Sequence, residues 1–388
     1  MKQGFIKLVL LICCCSLTAQ SIEDLSFGSD STLDIITWNI ERFPKNGQTT
    51  LNNVIDIIEA LDVDLLAIQE VDDINSFNQI VSNLSAYDGY LESTYFAGLA
   101  YIYKPDIIQV NNIYEIYTTS EYWDYFPRSP MVMDFNYMEQ RFIVINNHFK
   151  CCGDGVLDLN NTNDEETRRY FANNLLKEYI DTNFPEDNVI VLGDLNDILS
   201  DDPQNNVFQV ILDDQDNYLF ADLDIANGNN SDWSFPTWPS HLDHILLTNE
   251  LIDEFENENS DIQTIKIDEY LTGGWSEYDQ NVSDHRPVAL KLVIDETLNV
   301  SEFNNPKTVF LNNPNPFSLE TKFSFTSTTD YGKIEIYNLN GQKIVSLPLE
   351  KGESSISLDA KKFSNGIYIA KMLSRNNIIA TRKLVVLK

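Results

Sequence analysis

The chain has 388 residues, enough for one large domain and a small one. Its formal charge of −34 is unevenly spread: residues 303–388 hold 12 Lys+Arg against 6 Asp+Glu, which leaves 14 basic against 54 acidic groups in residues 1–302. So acidic a body repels nucleic acid at long range; it argues against tight duplex binding and makes any encounter depend on divalent ions and a local basic spot such as Arg128, Arg168 and Arg169.

At the start, Lys2 and Lys7 accompany an apolar stretch, 8–17, too short to span a bilayer comfortably, and Leu17-Thr18-Ala19-Gln20-Ser21 offers a small-residue cleavage site. Residues 1–20 read as a secretory signal peptide. An uncleaved anchor is the alternative, and Cys13, Cys14 and Cys15 raise a lipoprotein reading that the bulky residues before them disfavour. Six short apolar or β-branched runs follow, at 34–38, 65–68, 142–145, 189–192, 244–247 and 288–292, and runs of this length predict strands buried on both faces. Between them, residues 51–61 place apolar side chains at 51, 54, 55, 57, 58 and 61, and 167–180 repeat the helical period before Pro185. Sheets covered by helices are expected, with polar residues gathered at strand ends.

Cys151 and Cys152 are the only cysteines beyond residue 20. Adjacent Cα atoms lie about 3.8 Å apart, below the usual disulfide range, so a bridge between them would be a strained ring of the kind an oxidising compartment permits. Two vicinal sulfurs without a second pair do not make a zinc site. Further on, residues 295–307 lose apolar periodicity and are rich in Asn, Glu and Pro, which sets a linker at 299–308 between a body at 21–298 and a module at 309–388. That module alternates with period 2 at 333–337 and 366–370 around the turn Asn338-Leu339-Asn340-Gly341, the pattern of a small antiparallel β-sandwich.

Six polar blocks sit at the ends of the predicted strands: Trp38-Asn39-Ile40-Glu41, Gln69-Glu70-Val71, Asn147-His148-Phe149, Gly193-Asp194-Leu195-Asn196-Asp197, Leu242-Asp243-His244 and Ser283-Asp284-His285-Arg286-Pro287. All four histidines of the chain fall within or beside them. Phosphodiester hydrolysis needs a cation on the nonbridging oxygens, a positioned water and a proton for the leaving group. Mg²⁺ prefers oxygen ligands and keeps several waters, which suits Glu70 and Asp284, and histidine is the side chain that titrates nearest neutral pH.

The order and wording of these blocks resemble the endonuclease/exonuclease/phosphatase superfamily, the deoxyribonuclease I-like fold, over roughly residues 32–294. The resemblance implies an α/β four-layer sandwich, two packed β-sheets flanked by helices. It implies that Glu70 binds Mg²⁺ (or Mn²⁺) with Asn39 and Asp284 close by, and that Asp194 orients or deprotonates the attacking water. Asn196 would hold a phosphate oxygen, His285 would bond the phosphate with Asp243 fixing its ring, His148 would protonate the leaving oxygen, and Arg128 would contact phosphate. The module from 309, with Pro314-Asn315-Pro316-Phe317, Gly366-Ile367-Tyr368 and its basic end, resembles the type A C-terminal sorting domain of the type IX secretion system of Bacteroidetes, which implies export across the outer membrane to the cell surface or medium.

Each block also has a plain structural reading. Gly-Asp-Leu-Asn-Asp is a good turn, Glu70 could cap a helix beginning near Asp72 and Asp73, His244 is more readily a strand-packing residue, and His241 a loop residue near the site. The expected activity is that of a secreted nuclease acting on DNA or RNA; the alternative is a phosphatase or sphingomyelinase-like phospholipase, because fold does not settle substrate. The aromatic stretch 114–126, Trp275 and Tyr278 could stack on bases or simply pack the loops. No basic amphipathic helix suggests stable membrane insertion, and no oligomerisation signal is visible, so a monomer is expected.

Overall fold

A computed structural model describes residues 21–92, 97–294, 310–325, 332–350, 352–374 and 377–388; the signal-peptide segment 1–20 and the linker 299–308 lie outside the described residues. The chain forms two compact units, 1–295 and 296–388.

The strands of the first unit are β1 (Leu33–Phe43), β2 (Leu65–Val71), β3 (Asp88–Leu91), β4 (Gly98–Tyr103), β5 (Gln109–Glu115), β6 (Met131–Tyr137), β7 (Gln140–His148), β8 (Asn188–Asp194), β9 (Tyr218–Phe220), β10 (Asp243–Thr248), β11 (Asp261–Thr264) and β12 (Val288–Leu292). They build two mixed six-stranded sheets, in the orders β11-β12-β1-β2-β4-β3 and β5-β6-β7-β8-β10-β9. Each sheet has a parallel pair at its centre, β1 with β2 and β7 with β8, and antiparallel neighbours outside it. In each sheet, therefore, the C-terminal ends of the parallel pair lie at the same edge as the N-terminal start of an antiparallel partner. The six polar blocks lie at these edges.

The continuous apolar runs follow from the layering. Leu33 and Ile35 of β1 turn toward the other sheet and join Leu65, Val144, Ile190 and Leu192 in the layer between the sheets. Ile36 and Trp38, on the opposite face, pack with α1 (Gln48–Leu61), whose Leu51, Val54, Ile57, Ile58 and Leu61 are buried. On the far side, Ile143, Ile145, Val189 and Val191 meet Leu176 and Ile180 of α3 (Glu165–Asn183). Both faces of each central strand are thus apolar, and alternation disappears. Between α1 and β3 lies α2 (Ile74–Asn83), whose N-cap is Asp73, accepting from the amides of Asn75 and Ser76. The cap is therefore Asp73 rather than Glu70.

A polar bridge crosses the apolar layer between the sheets. The Tyr101 hydroxyl, carried by β4, lies 2.8 Å from Met131 O and 3.0 Å from Val144 O and accepts from Asn146 N–H at 3.0 Å. The Asn146 side chain donates to Ile68 O and Ala100 O and accepts from Gln69 Nε2 at 2.8 Å. These groups sit in full burial with their partners satisfied, which ties the two sheets in one register.

The second unit is all β: β13 (Phe310–Asn313), β14 (Glu320–Phe325), β15 (Gly332–Asn338), β16 (Lys343–Leu349), β17 (Ser355–Asp359), β18 (Gly366–Ser374) and β19 (Asn377–Val386). Antiparallel sheets β13-β14-β17 and β16-β15-β18-β19 enclose Phe323, Ile334, Ile336, Ala370, Met372 and Leu384. Asn315 fastens the Pro-Asn-Pro-Phe segment to β19, donating to Lys383 O and accepting from Val385 N.

Candidate active site

The edges of the two sheets bring the predicted residues together around one pair of carboxylates. Asn39, at the end of the regular part of β1, donates through Nδ2 to Glu70 Oε1 at 3.2 Å and to Asp194 Oδ2 at 2.9 Å. One amide thus joins the last turns of β2 and β8, which belong to different sheets. Beyond Asn39 the β1–β2 register shifts, with Glu41, Arg42 and Glu70 at φ 33°, 46° and 66°. Non-glycine residues in this region are strained, and here the strain turns the Arg42 amide onto Glu70 Oε2 at 3.0 Å.

His148 pairs with Asp194 in the parallel β7–β8 ladder, and its Nε2 stands 3.4 Å from Asp194 Oδ2 and 3.8 Å from Glu70 Oε1. The strands come close at Gly193, whose φ is +141° and where a Cβ would lie 1.9 Å from Asn147 O. Burial, reinforced by the cations of Arg128 and His285, holds His148 well below the usual histidine range, so the ring is neutral. Its Nδ1 has no hydrogen-bond partner among the described residues.

His285 is the opposite case. Its Nδ1 is 2.7 Å from Asp243 Oδ2, and its Nε2 is 3.8 Å from Asp194 Oδ2 and 4.0 Å from Asp284 Oδ1. Burial works against its charged form, but Asp243, then Asp194 and Asp284, outweigh it and push the imidazolium up to about 10. Asp243 is fixed by Ser234, whose Oγ accepts the amides of Leu242 and Asp243. The Phe235 ring packs on His285 at 4.8 Å.

Burial pushes Asp194 up to about 7, with Asp243 and Glu70 adding to it against His285 and the Asn39 amide. Asp284 rises to about 6, again chiefly through burial, beside Glu41, which accepts the Asp284 amide at 3.0 Å. These carboxylates are crowded beyond what the nearby cations neutralise, and their free donors are oxygens. Acidic and histidine groups able to bind a metal are therefore present, and Asp194, Asp243 and His285 bring ligand atoms within 4.8 Å of one another. Because Asp243 and His285 are already bonded to each other, the partly open carboxylates of Glu70 and Asp284 are the better match for a hard divalent ion.

The turn reading of Gly-Asp-Leu-Asn-Asp holds beside any chemical one: Asn196 has φ 56° and its amide donates to Asp194 Oδ1, while its Nδ2 reaches Phe149 O at 3.3 Å. Arg128 Nη1 reaches the same carbonyl at 3.4 Å, with Glu70 and Asp194 opposing the effect of burial on its guanidinium.

Some expectations change. Arg169 is not part of a basic surface spot: it is buried, bonded to Asp197 at 2.8 Å and to the carbonyls of Lys150 and Cys152. Tyr278 offers no stacking face. It is buried, donates to His285 O and accepts from Trp38 Nε1. Tyr117 stacks on Phe126 at 5.0 Å, within the layer that packs on α3, and Trp275 lies against Arg286. Cys151 and Cys152 are exposed free thiols with Sγ atoms 2.9 Å apart. His244 is buried, as a packing residue would be, but both its nitrogens face acceptors, Asp222 Oδ2 at 2.6 Å and Asp197 O at 2.9 Å. Both must carry hydrogen, so His244 is an imidazolium; Asp222 more than offsets the effect of burial on it. His241 is buried too, accepting from Ser234 N, with Nε2 3.1 Å from Asp222. Glu41, Ser234 and Phe235 also build the site; Glu41 lies inside the first polar block, whereas nothing in the sequence marks the other two.

No curated protein matches the chain. Among solved structures it is similar to TDP2 of D. rerio complexed with single strand DNA product (14% identity, TM-score 0.51) and to a form of D. rerio TDP2 humanized by 14 mutations (14%, 0.50), each match covering 68% of this chain and 99% of the other. An endonuclease/exonuclease/phosphatase from Bacteroides vulgatus is also similar (16%, TM-score 0.47, 68% of this chain and 99% of the other). At such identities the likeness is one of fold. Residues 313–387 match the secretion system C-terminal sorting domain, which marks the chain for type IX export to the cell surface or extracellular space, and no helix among the described residues is long and apolar enough to cross a membrane. Residues 36–285, which contain every group of the site, match the Endonuclease/Exonuclease/phosphatase family, and the chain belongs to it.

Proposed function

We propose that the exported chain is a Mg²⁺-dependent phosphoesterase that hydrolyses phosphodiester bonds of extracellular DNA or RNA. The observation that carries this reading is the Asn39 amide joining Glu70 to Asp194, with the Asp243–His285 pair and neutral His148 directed at the same carboxylate. Glu70 and Asp284 would hold Mg²⁺ with Asn39 beside it; Mn²⁺ would fit the same oxygens. The ion, when bound, supplies positive charge to the nonbridging phosphate oxygens. Asp194, titrating at about 7, accepts a proton from water near neutral pH. Protonated His285 donates to the phosphate, and Asp243 keeps it charged and aligned. Burial, with Arg128 and His285, keeps His148 neutral; a phosphate anion opposes the field of those two cations and so favours the protonated ring that a donor to the leaving oxygen must be. Arg128 and Asn196 flank the Phe149 carbonyl and would bind phosphate oxygens.

The nucleic acid substrate finds support in the likeness to TDP2 complexed with a DNA product. A phospholipase or phosphatase is the second reading, and the observation in its favour is Trp238, 77% exposed on the turn that also carries Phe235, where it could enter a lipid surface as well as stack on a base. Purified protein is incubated with plasmid DNA, RNA, sphingomyelin and a small phosphomonoester, with Mg²⁺ and with EDTA. Mg²⁺-dependent cutting of polymer supports the nuclease; intact polymer with released phosphate or phosphocholine moves the protein to the second reading. Asp194→Ala and His285→Ala should each lower turnover by at least about 10²-fold, with circular dichroism showing that each variant is still folded. Full activity in both would reject the site.

A further inference from the structure

The segment that leaves His148 returns to α3 through residues 149–164, and it closes around one side chain. Glu166, in the first turn of α3, is buried. Its Oε1 accepts the Gly155 amide at 2.7 Å and lies 3.3 Å from Arg169 Nη2; its Oε2, equally buried, meets no hydrogen-bond donor among the described residues. The loop is drawn in so tightly that a Cβ at Gly153, which has φ +118°, would fall 2.1 Å from Glu166 Oε1. Two more carboxylates face the same point: Asp154, Asp164 and Glu166 bring one oxygen each within 4.8 Å of one another. Asp164 also caps α3 through the Thr167 amide, and Asp154 holds the Val156 amide. Arg169 does not neutralise the group, because it is shared between Glu166 and Asp197.

We propose that Asp154, Asp164 and Glu166 form a structural Ca²⁺ site, separate from the Glu70 site. The donors are oxygens from a loop and a helix end, and oxygens on one Ca²⁺, at 2.3–2.6 Å each, can stand up to about 5 Å apart. The unpartnered Glu166 oxygen is the group that the ion satisfies. Ca²⁺ there closes the loop onto α3, where Arg169 already grips the carbonyls of Lys150 and Cys152, two and four residues beyond His148. The ion therefore steadies the segment that carries His148 out of β7.

The full chain, stripped with EGTA and held in saturating Mg²⁺, is titrated with CaCl₂ by calorimetry and melted with and without Ca²⁺. One Ca²⁺ per chain with Kd of about 10⁻⁴ to 10⁻³ M, and a raised midpoint for the catalytic unit, are expected. Asp154 is exposed, so Asp154→Asn should melt as the parent without Ca²⁺ and bind it about tenfold or more weakly. Glu166→Gln, which keeps an acceptor for Gly155, should abolish the Ca²⁺-induced rise. No calcium heat or midpoint shift in the parent protein, or variants that bind Ca²⁺ as it does, would overturn the proposal.

Discussion

Tyr101→Phe removes one oxygen from the layer between the sheets and almost nothing else. The ring is fully buried and its volume is kept, so no cavity of consequence opens. What is lost is the hydroxyl that accepts the Asn146 amide at 3.0 Å and lies within reach of Met131 O and Val144 O. The Asn146 N–H and at least one carbonyl are left buried without that partner, at about 1–3 kcal/mol each. The sum, about 2–6 kcal/mol, corresponds at about 2–4 °C per kcal/mol to a fall of roughly 4–24 °C in the midpoint of a domain of this size. Calorimetric melting of the full chain follows the transition of the catalytic unit, and a double-mutant cycle with Asn146→Ala tests whether the losses are shared, as members of one network require. A loss below about 0.5 kcal/mol, or strictly additive losses, would refute the bridge as a tie between the sheets.

Three further outcomes follow from the charges. In the parent enzyme, the deprotonation of Asp194 should give the activity profile an ascending limb near pH 7, and the deprotonation of His285 a descending limb near 10, in addition to the descending limb set by the proton that bound phosphate places on His148. Asp243→Asn should bring the His285 limb to lower pH and cut kcat by about 10² to 10⁴; a uniformly scaled profile with that limb unmoved would show that Asp243 does not hold the proton on His285. Asp64 is raised to about 6 by burial, which outweighs the Asp34 amide and Lys104 that favour its charged form, so the folded state favours its neutral form and stability falls as pH rises from about 4 through 6. Asp64→Asn should flatten that fall, recovering at most about 3 kcal/mol at pH 7, and urea midpoints at pH 4 and 7 measure it; an unchanged difference between the two would assign the slope to other groups.

The central strands were readable because both their faces are buried, which turns each into an uninterrupted apolar run. The edge strands β3, β5, β9 and β11 were not: they are short or half exposed, and segments such as Asp88–Leu91 and Asp261–Thr264 carry no pattern of their own. The residues gathered at the site could be named because each ends a recognisable run. Their protonation could not, since His148 and His285 differ in which charges surround them, and those charges come largely from other strands and loops: Arg128 and His285 for the first, Asp243 and Asp194 for the second. Arg169 misled for a related reason. A helix with a mixed face gives no sign that one arginine turns inward to Asp197. Tyr278 likewise sits in a polar-looking stretch yet ends buried against Trp38.

Gly193 bears on how freely the rest of the protein can change. With only hydrogen at that position, β7 and β8 close to ladder distance, and His148 and Asp194 are set beside each other by main-chain bonds. Such bonds read no side-chain identity, so the outer faces of the covering helices can gain or lose charge without altering the spacing of the two groups. The strongly acidic exterior is then open to selection for solubility, salt or neighbours in the medium, independently of the chemistry, whereas any side chain at 193 would wedge the two strands apart and disturb that chemistry even with every reactive group still in place.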